Sequence, residues 1–216
     1  MQRFTNAQGQ EIQQELIRTI RENKLHLSEL DGAIGDGDHG INMNKGFSLW
    51  AEELASNPVE LYASLMSLSK ILLARIGGAM GPLYGMFFRG LAKGCEQEEF
   101  LDAAVFGRML SGAVACVQTI SQAKVGDKTL MDALLPAEQA YRGALEQNKS
   151  FLECLEAMAT AAEKGRDSTR ELIAKVGRAS RLGERARGSQ DAGAASCALI
   201  LTALAGAIRG LLAGSP

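Results

Sequence analysis

Apolar residues along this chain recur at the spacing of a helical face and almost nowhere alternate. Ile12, Leu16 and Ile20 fall at i, i+4 and i+8, and the whole run "EIQQELIRTIRENKLHLSEL" reads as one helix. A second helix is expected over about 41–55, stopped by Ser56-Asn57-Pro58. Pro58 suits the first turn of a third, whose buried stripe is Leu61, Leu65, Leu68 and Leu72, up to Ile76. "GGAMGPLYG" breaks it, and a fourth helix runs towards Gly94. The fifth covers about 100–121. The sixth starts near Thr129 and carries Pro136, which marks either a kink or a later start. The seventh covers about 151–164 or runs on to 174, and the eighth is the apolar C-terminal run. No segment alternates as a strand would, and no internal repeat occurs. The expected fold is all-α: a single domain over 1–216, an antiparallel eight-helix bundle or barrel.

In an up-and-down bundle the loops after alternate helices emerge at one end. The loops after helices 1, 3, 5 and 7 are the four glycine-rich or polar breaks, at 31–46, 77–85, 125–129 and 177–194. Connectivity alone therefore predicts that they meet at one mouth, with any ligand site there.

Composition adds little. The chain has 216 residues, 46% of them hydrophobic and 22% charged, with a net charge of −2, so nothing in bulk charge calls for nucleic acid or a membrane. Cys95, Cys116, Cys154 and Cys197 are far apart and form no C-x-x-C; reduced thiols in a cytoplasmic protein are expected. The polar start "MQRFTNAQGQEI" has no apolar core of a secretory signal. From Ala192 to Ile208 the chain is uncharged and nearly long enough to span a bilayer, but it is rich in Ala and Gly and Arg209 follows at once. A buried central helix is the expectation.

The chemistry concentrates in "LDGAIGDGDHGINMNKG", Leu30 to Gly46. Gly35, Gly37 and Gly40 fit the dinucleotide pattern G-x-G-x-x-G, but that pattern needs a preceding strand, and Asp36 and Asp38 would repel a pyrophosphate. The Walker pattern is absent, an EF-hand lacks its acidic twelfth position, and His26 and His39 are the only histidines, too few for a zinc cluster. A hard-cation site survives: Asp31, Asp36 and Asp38 for Mg²⁺, which takes oxygen ligands and completes its shell with phosphates and water. Two Mg²⁺ would outweigh three carboxylates and leave positive charge for a nucleotide polyphosphate. The competing reading is a solvated Asp/Gly turn. The third Asp upstream and Asn42 just after favour the metal.

The other breaks each have two readings. "GGAMG" could offer backbone N–H groups to phosphate at the start of a helix, or be a glycine-rich helix end. "VGDKT" offers Thr129 or Asp127 as a cap. Eight basic residues lie between Lys164 and Arg187, interrupted by Asp167, Glu171 and Glu184 and without interleaved aromatics. That composition suits a solvated face with one or two phosphate-binding arginines, able to fold over a ligand as a lid, better than nucleic-acid binding.

"DGAIGDGDHGINMNKGF", "GGAMGPLYG", "GDKTLMDALLPA" and "GRASRLGERARGSQDAGA" together resemble the ADP-binding L subunits of dihydroxyacetone kinases. The likeness spans Asp31 to Gly193, with four motifs in order. It implies an eight-helix barrel holding ADP, or ATP, and two Mg²⁺ at one end. By motif, Asp31, Asp36 and Asp38 would ligate Mg²⁺, and His39, Gly40, Ile41 and Asn42 would line the phosphates. Ala79 and Met80 would meet the nucleotide; Ser121 and Leu130 would lie near base or sugar; Arg178 would reach the phosphates; Asp191, Ala192 and Gly193 would close the pocket. No side chain is assigned as catalytic beyond these. The family usually has Ser where Met80 stands, so a hydroxyl contact is lost, and "DAGA" replaces the commoner "DPGA".

The resemblance implies phosphoryl transfer to dihydroxyacetone held covalently on a separate K subunit. ADP would stay bound and be recharged by a phosphoprotein M subunit of the phosphotransferase system. The alternatives are an ATP-dependent kinase subunit for dihydroxyacetone or a related ketose, and a non-enzymatic nucleotide-sensing module.

Overall fold

The structure, a computed structural model, describes residues 2–214. Nine α-helices lie among them: α1 (Gln10–Glu22), α2 (Lys24–Ile34), α3 (His39–Ser56), α4 (Leu61–Arg75), α5 (Met80–Lys93), α6 (Ala103–Gln118), α7 (Met131–Glu146), α8 (Phe151–Ser168) and α9 (Ala192–Gly214). From α3 onward each helix packs on the next, and α9 closes the ring against α1. The expected first helix is two. Asn23 takes the Thr19 carbonyl with its own side-chain amide (2.9 Å), and its backbone leaves the helical region at φ −96°, ψ 6°. An Asn side chain competing for backbone in this way is a local helix breaker. With α1 and α2 sharing one place, the ring has the eight staves that the periodicity implies.

The stripes read from the sequence face inward. Leu16, Ile20, Leu65, Leu68 and Leu72 are fully buried. Phe47 meets Trp50 and Phe88 edge-on, with centroids 5.9 and 5.8 Å apart. Burying each such ring stabilises the fold by about 1.5–3 kcal/mol. The Trp50 indole N–H is satisfied by the Ser64 carbonyl. Helix α9 is the one described helix long and apolar enough to cross a bilayer, yet it packs against α1, α7 and α8, and Cys197, Ile200, Leu201 and Ile208 are buried. All four cysteines are free thiols.

Three local expectations need correction. A two-stranded antiparallel ribbon, β1 (Arg3–Thr5) with β2 (Phe100–Asp102), closes the end of the barrel away from the four breaks. Three residues are too few to display an alternation, although Phe4 and Leu101 are buried opposite each other. Consequently α6 starts at Ala103 rather than at Phe100, with the Asp102 carboxylate accepting from the Ala104 and Val105 N–H groups. Pro58 precedes α4 instead of opening it, because Glu60 is extended.

Pro136 lies inside α7, which nevertheless begins at Met131. Its missing N–H frees the Asp132 carbonyl four residues back. Gly165 of α8 lies against that carbonyl, where a Cβ would stand 2.0 Å from the oxygen. A glycine here lets the two helices approach closely.

Candidate active site

All four breaks open on one cavity of about 560 Å³ at the end of the barrel opposite the ribbon. The first break is shorter than expected. Helix α2 runs to Ile34, so Asp31 sits in its last turn, and only 35–38 separate it from α3. The sequence explains this tightness. A Cβ on Gly35 would come within 2.3 Å of the Asp31 carboxylate, and Gly37 has φ +77°, which L side chains rarely adopt. The turn brings Asp31, Asp36 and Asp38 together, with one oxygen from each within 4.8 Å of the others.

Asp38 occupies the N-cap position of α3 but makes no side-chain cap. Its carboxylate is left to face the cavity, against the usual preference of Asp at that position. Asp31 accepts from the His39 N–H (3.2 Å), and Asp36 is paired with the Arg178 guanidinium. Three carboxylates at this spacing form an all-oxygen donor set that fits a hard divalent cation.

The cavity wall facing the carboxylates is built to take an anion. Gly77, Gly78 and Ala79 lead into α5, whose N-cap residue Ala79 supplies no capping side chain. Pro82 has no N–H and Leu83 donates to the Ala79 carbonyl, so Met80 and Gly81 carry the first-turn N–H groups at the positive end of the helix dipole. Met80 is 8% exposed and its side chain belongs to the core, so it offers the cavity its backbone. Further round, Ile120 and Val176 are 49% and 43% exposed at the mouth, giving the apolar walls that a planar base would need.

Most residues named from the sequence meet here. Asp31, Asp36, Asp38, His39, Ala79, Met80, Ser121, Leu130, Arg178, Asp191, Ala192 and Gly193 all line the cavity. Gly40, Ile41 and Asn42 do not. Gly40 is packed against α2, where a Cβ would stand 2.0 Å from the Lys24 carbonyl, Ile41 is 52% exposed, and the Asn42 N–H is bonded to the Asp38 carbonyl. The Ser121 hydroxyl accepts from the Ala123 N–H within its own loop. Of the two expected caps on α7, Thr129 serves: its Oγ1 accepts from the N–H of Met131, the first residue of the helix, whereas Asp127 accepts from the Lys124 N–H in the preceding turn.

Several side chains of the site escaped the sequence reading. Tyr84 and Ser196 form a buried hydroxyl pair that holds the His39 ring, with His39 Nε2 2.8 Å from Ser196 Oγ. Lys128 and Asp132 organise the third break. Both lie in the "GDKTLMDALLPA" motif, where nothing local distinguishes Lys128 or Asp132 from the other polar residues. At the start of α9, Asp191 accepts from the Ala194 N–H (2.7 Å), and burial pushes its carboxyl up to about 7 against that bond.

Burial lowers the His39 pKa to about 4, against the pull of the Asp31 charge. The ring therefore stays neutral in the folded protein while the unfolded chain takes a proton below pH 6.5. Above that pH the group contributes no difference. As pH falls towards 4, the unfolded state gains by at most about 1.4 kcal/mol per unit. Unfolding free energies from urea titrations in chelator should fall between pH 7 and pH 5 by about 1–2 kcal/mol more for the native chain than for His39→Gln. Equal drops would mean that the ring is accessible to protons when folded.

Residues 33–206 match the DAK2 domain. The chain belongs to the DAK2 domain family. This DAK2 domain is 39% identical over 181 residues to the ADP-binding subunit DhaL of the PEP-dependent dihydroxyacetone kinase of Escherichia coli (strain K12), covering 83% of this chain and 86% of that one. To the corresponding subunit of dihydroxyacetone kinase 2 of Listeria innocua it is 36% identical over 196 residues, covering 89% and 90%. Its fold is that of part of the dihydroxyacetone kinase of C. freundii, solved in complex with AMP-PNP and Mg²⁺, with TM-score 0.66 and 26% identity. The DAK2 domain covers 90% of its own length there and spans 33% of the solved chain.

Proposed function

We propose that this chain is the nucleotide-binding subunit of a dihydroxyacetone kinase. One observation carries the reading: a carboxylate triad faces an uncapped helix N-terminus across a cavity with apolar walls. That arrangement suits a nucleotide whose polyphosphate lies between a divalent cation and backbone N–H groups. Family membership and the printed activities of the relatives support it.

Asp31, Asp36 and Asp38 would hold Mg²⁺, two ions by the family pattern, and the metal would supply the positive charge that lets acidic side chains share a site with phosphates. The Ala79–Met80 backbone and the first turn of α3 would meet phosphate oxygens. Ser121, Leu130 and the rim formed by Ile120 and Val176 would take sugar and base, and Asp191, Ala192 and Gly193 would close the floor. Phosphoryl transfer needs little covalent help from the protein, so positioning and charge neutralisation carry the catalysis. Arg178 is the residue proposed to neutralise the transferring group. His39 is held by Ser196 and would line the phosphates rather than bind sugar. A K-type subunit would hold dihydroxyacetone, and a phosphoprotein of the phosphotransferase system would recharge ADP in place.

The test is nucleotide content after purification in Mg²⁺ and desalting, then again after chelation. About one ADP per chain, released by chelator, is the expected result. Protein that arrives empty and binds ATP reversibly would indicate an exchanging, ATP-dependent kinase subunit. Failure to bind either nucleotide would overturn the reading.

A further inference from the structure

The strap over the cavity, residues 172–189, contains two short 3₁₀ turns within Arg178–Ala186, separated by a kink at Gly183, and glycines at positive φ at 177, 183 and 188. Three of its carbonyl contacts converge on one side chain. The ammonium of Lys128, from the third break, donates to the carbonyls of Leu172 (3.2 Å), Ala186 (2.6 Å) and Ser189 (2.7 Å). These three acceptors lie on both sides of Arg178, and they use all three donors of the ammonium.

Lys128 is 2% exposed, among the most buried large side chains of the protein. Its backbone has φ +63°, a conformation costing a non-glycine residue about 1–2 kcal/mol. Strain of that kind persists where the surroundings over-determine it. Glycine would relieve the backbone here but would lose the ammonium. The adjoining residue reinforces the tie: Asp127 pairs with Lys175 (3.1 Å) and accepts the Lys175 N–H. The strap is held further by the Gly188 N–H, which donates to the Arg170 carbonyl (2.8 Å), by the pair of Arg178 with Asp36, and by the small apolar cluster of Ile34, Ala174 and Ala186.

We propose that Lys128 is a positioning residue: by gathering both ends of the strap onto one buried ammonium, it sets where Arg178 stands over the cavity. The proposal rests on the nucleotide reading only for the role of Arg178. The clamp itself is a statement about the free protein.

The test uses the full chain, with Lys128→Met to keep the stem and remove the charge. Tryptic cleavage within the strap, at Arg178, Arg181, Arg185 or Arg187, should accelerate about tenfold or more in the variant at a temperature where both proteins are folded. The Kd for ADP in Mg²⁺ should rise about tenfold, and the same substitution should add little in an Arg178→Met background. A merely structural role would weaken binding equally in both backgrounds. In the unaltered protein, Lys128 should be the slowest lysine to react with acetic anhydride, a measurement that stands even if the variant does not fold. Unchanged strap cleavage, losses that multiply fully in the double variant, or acetylation at the rate of an exposed lysine would each overturn the proposal. If the native chain bound no nucleotide, the functional reading would fall, while strap cleavage and acetylation would still decide the clamp.

Discussion

Asp36→Asn lowers phosphoryl transfer by a factor on the order of 10²–10³, comparable to removing a preorganised charge-stabilising group, and leaves the helical fold intact. Of the three carboxylates, Asp36 can be changed with the least disturbance of the backbone, and the Mg²⁺ titration separates loss of the metal from release of its partner Arg178. Asp31 also accepts the His39 N–H that opens α3, so its loss would disturb the turn itself. Asp38 sits at the helix junction. Asp36 is exposed in the turn, and its side-chain ion pair among the described residues is with Arg178, a pair whose side chains are 43% and 61% exposed. An ion pair that open to water contributes at most about 1 kcal/mol. Stability should therefore barely change while the charge holding a cation at the cavity wall falls by a third. The check is transfer to dihydroxyacetone with a K-type subunit and phosphoprotein supplied, titrated with Mg²⁺, beside far-UV dichroism and a melting curve. A variant that stays active with an unaltered Mg²⁺ requirement would remove the metal from the carboxylate triad.

The ring of helices was legible because its signals are local and periodic. Leu61, Leu65, Leu68 and Leu72 declare a face whatever they pack against, and the alternation of breaks along the chain is enough to place four of them at one end. Asp31, Asp36 and Asp38 were legible for a similar reason, since eight residues of chain contain all three and their glycines explain how they converge. What was illegible depends on contacts between distant segments. Lys128 acquires its role from carbonyls 44, 58 and 61 residues away. Tyr84 and Ser196, 112 residues apart, become one hydroxyl pair only when α5 and α9 adjoin. Ile41 and Asn42 stand outside the cavity lining because α3 starts at His39, which leaves Ile41 52% exposed on the helix surface, a placement that depends on the helix start rather than on the motif. The ribbon went unseen because its two strands are short and almost a hundred residues apart, so neither has a pattern of its own.

Asp132→Ala should cost about 2–5 kcal/mol of stability, although the residue touches no proposed ligand. The carboxylate is 1% exposed and accepts two backbone bonds, from Gly126 N (2.6 Å) and Thr129 N (2.7 Å). Alanine would strand both N–H groups, each at about 1–3 kcal/mol where water cannot replace the partner. Gly126, at φ +92°, and Lys128, at φ +63°, both hold unusual backbone within the loop these bonds tie down. Releasing them loosens the loop that presents Lys128 to the strap and Thr129 to the cavity. Asp132→Asn keeps one good acceptor and should fall midway between alanine and the native chain. Urea midpoints of the three proteins, with the ADP affinity of each, would separate the two consequences. A loss of stability with unchanged affinity would confine Asp132 to holding α7 in place, whereas parallel losses would tie the loop's geometry to nucleotide binding. An alanine variant within about 0.5 kcal/mol of the native chain, the range of an ordinary surface substitution, would mean that the two N–H groups find water and that the loop does not depend on this carboxylate.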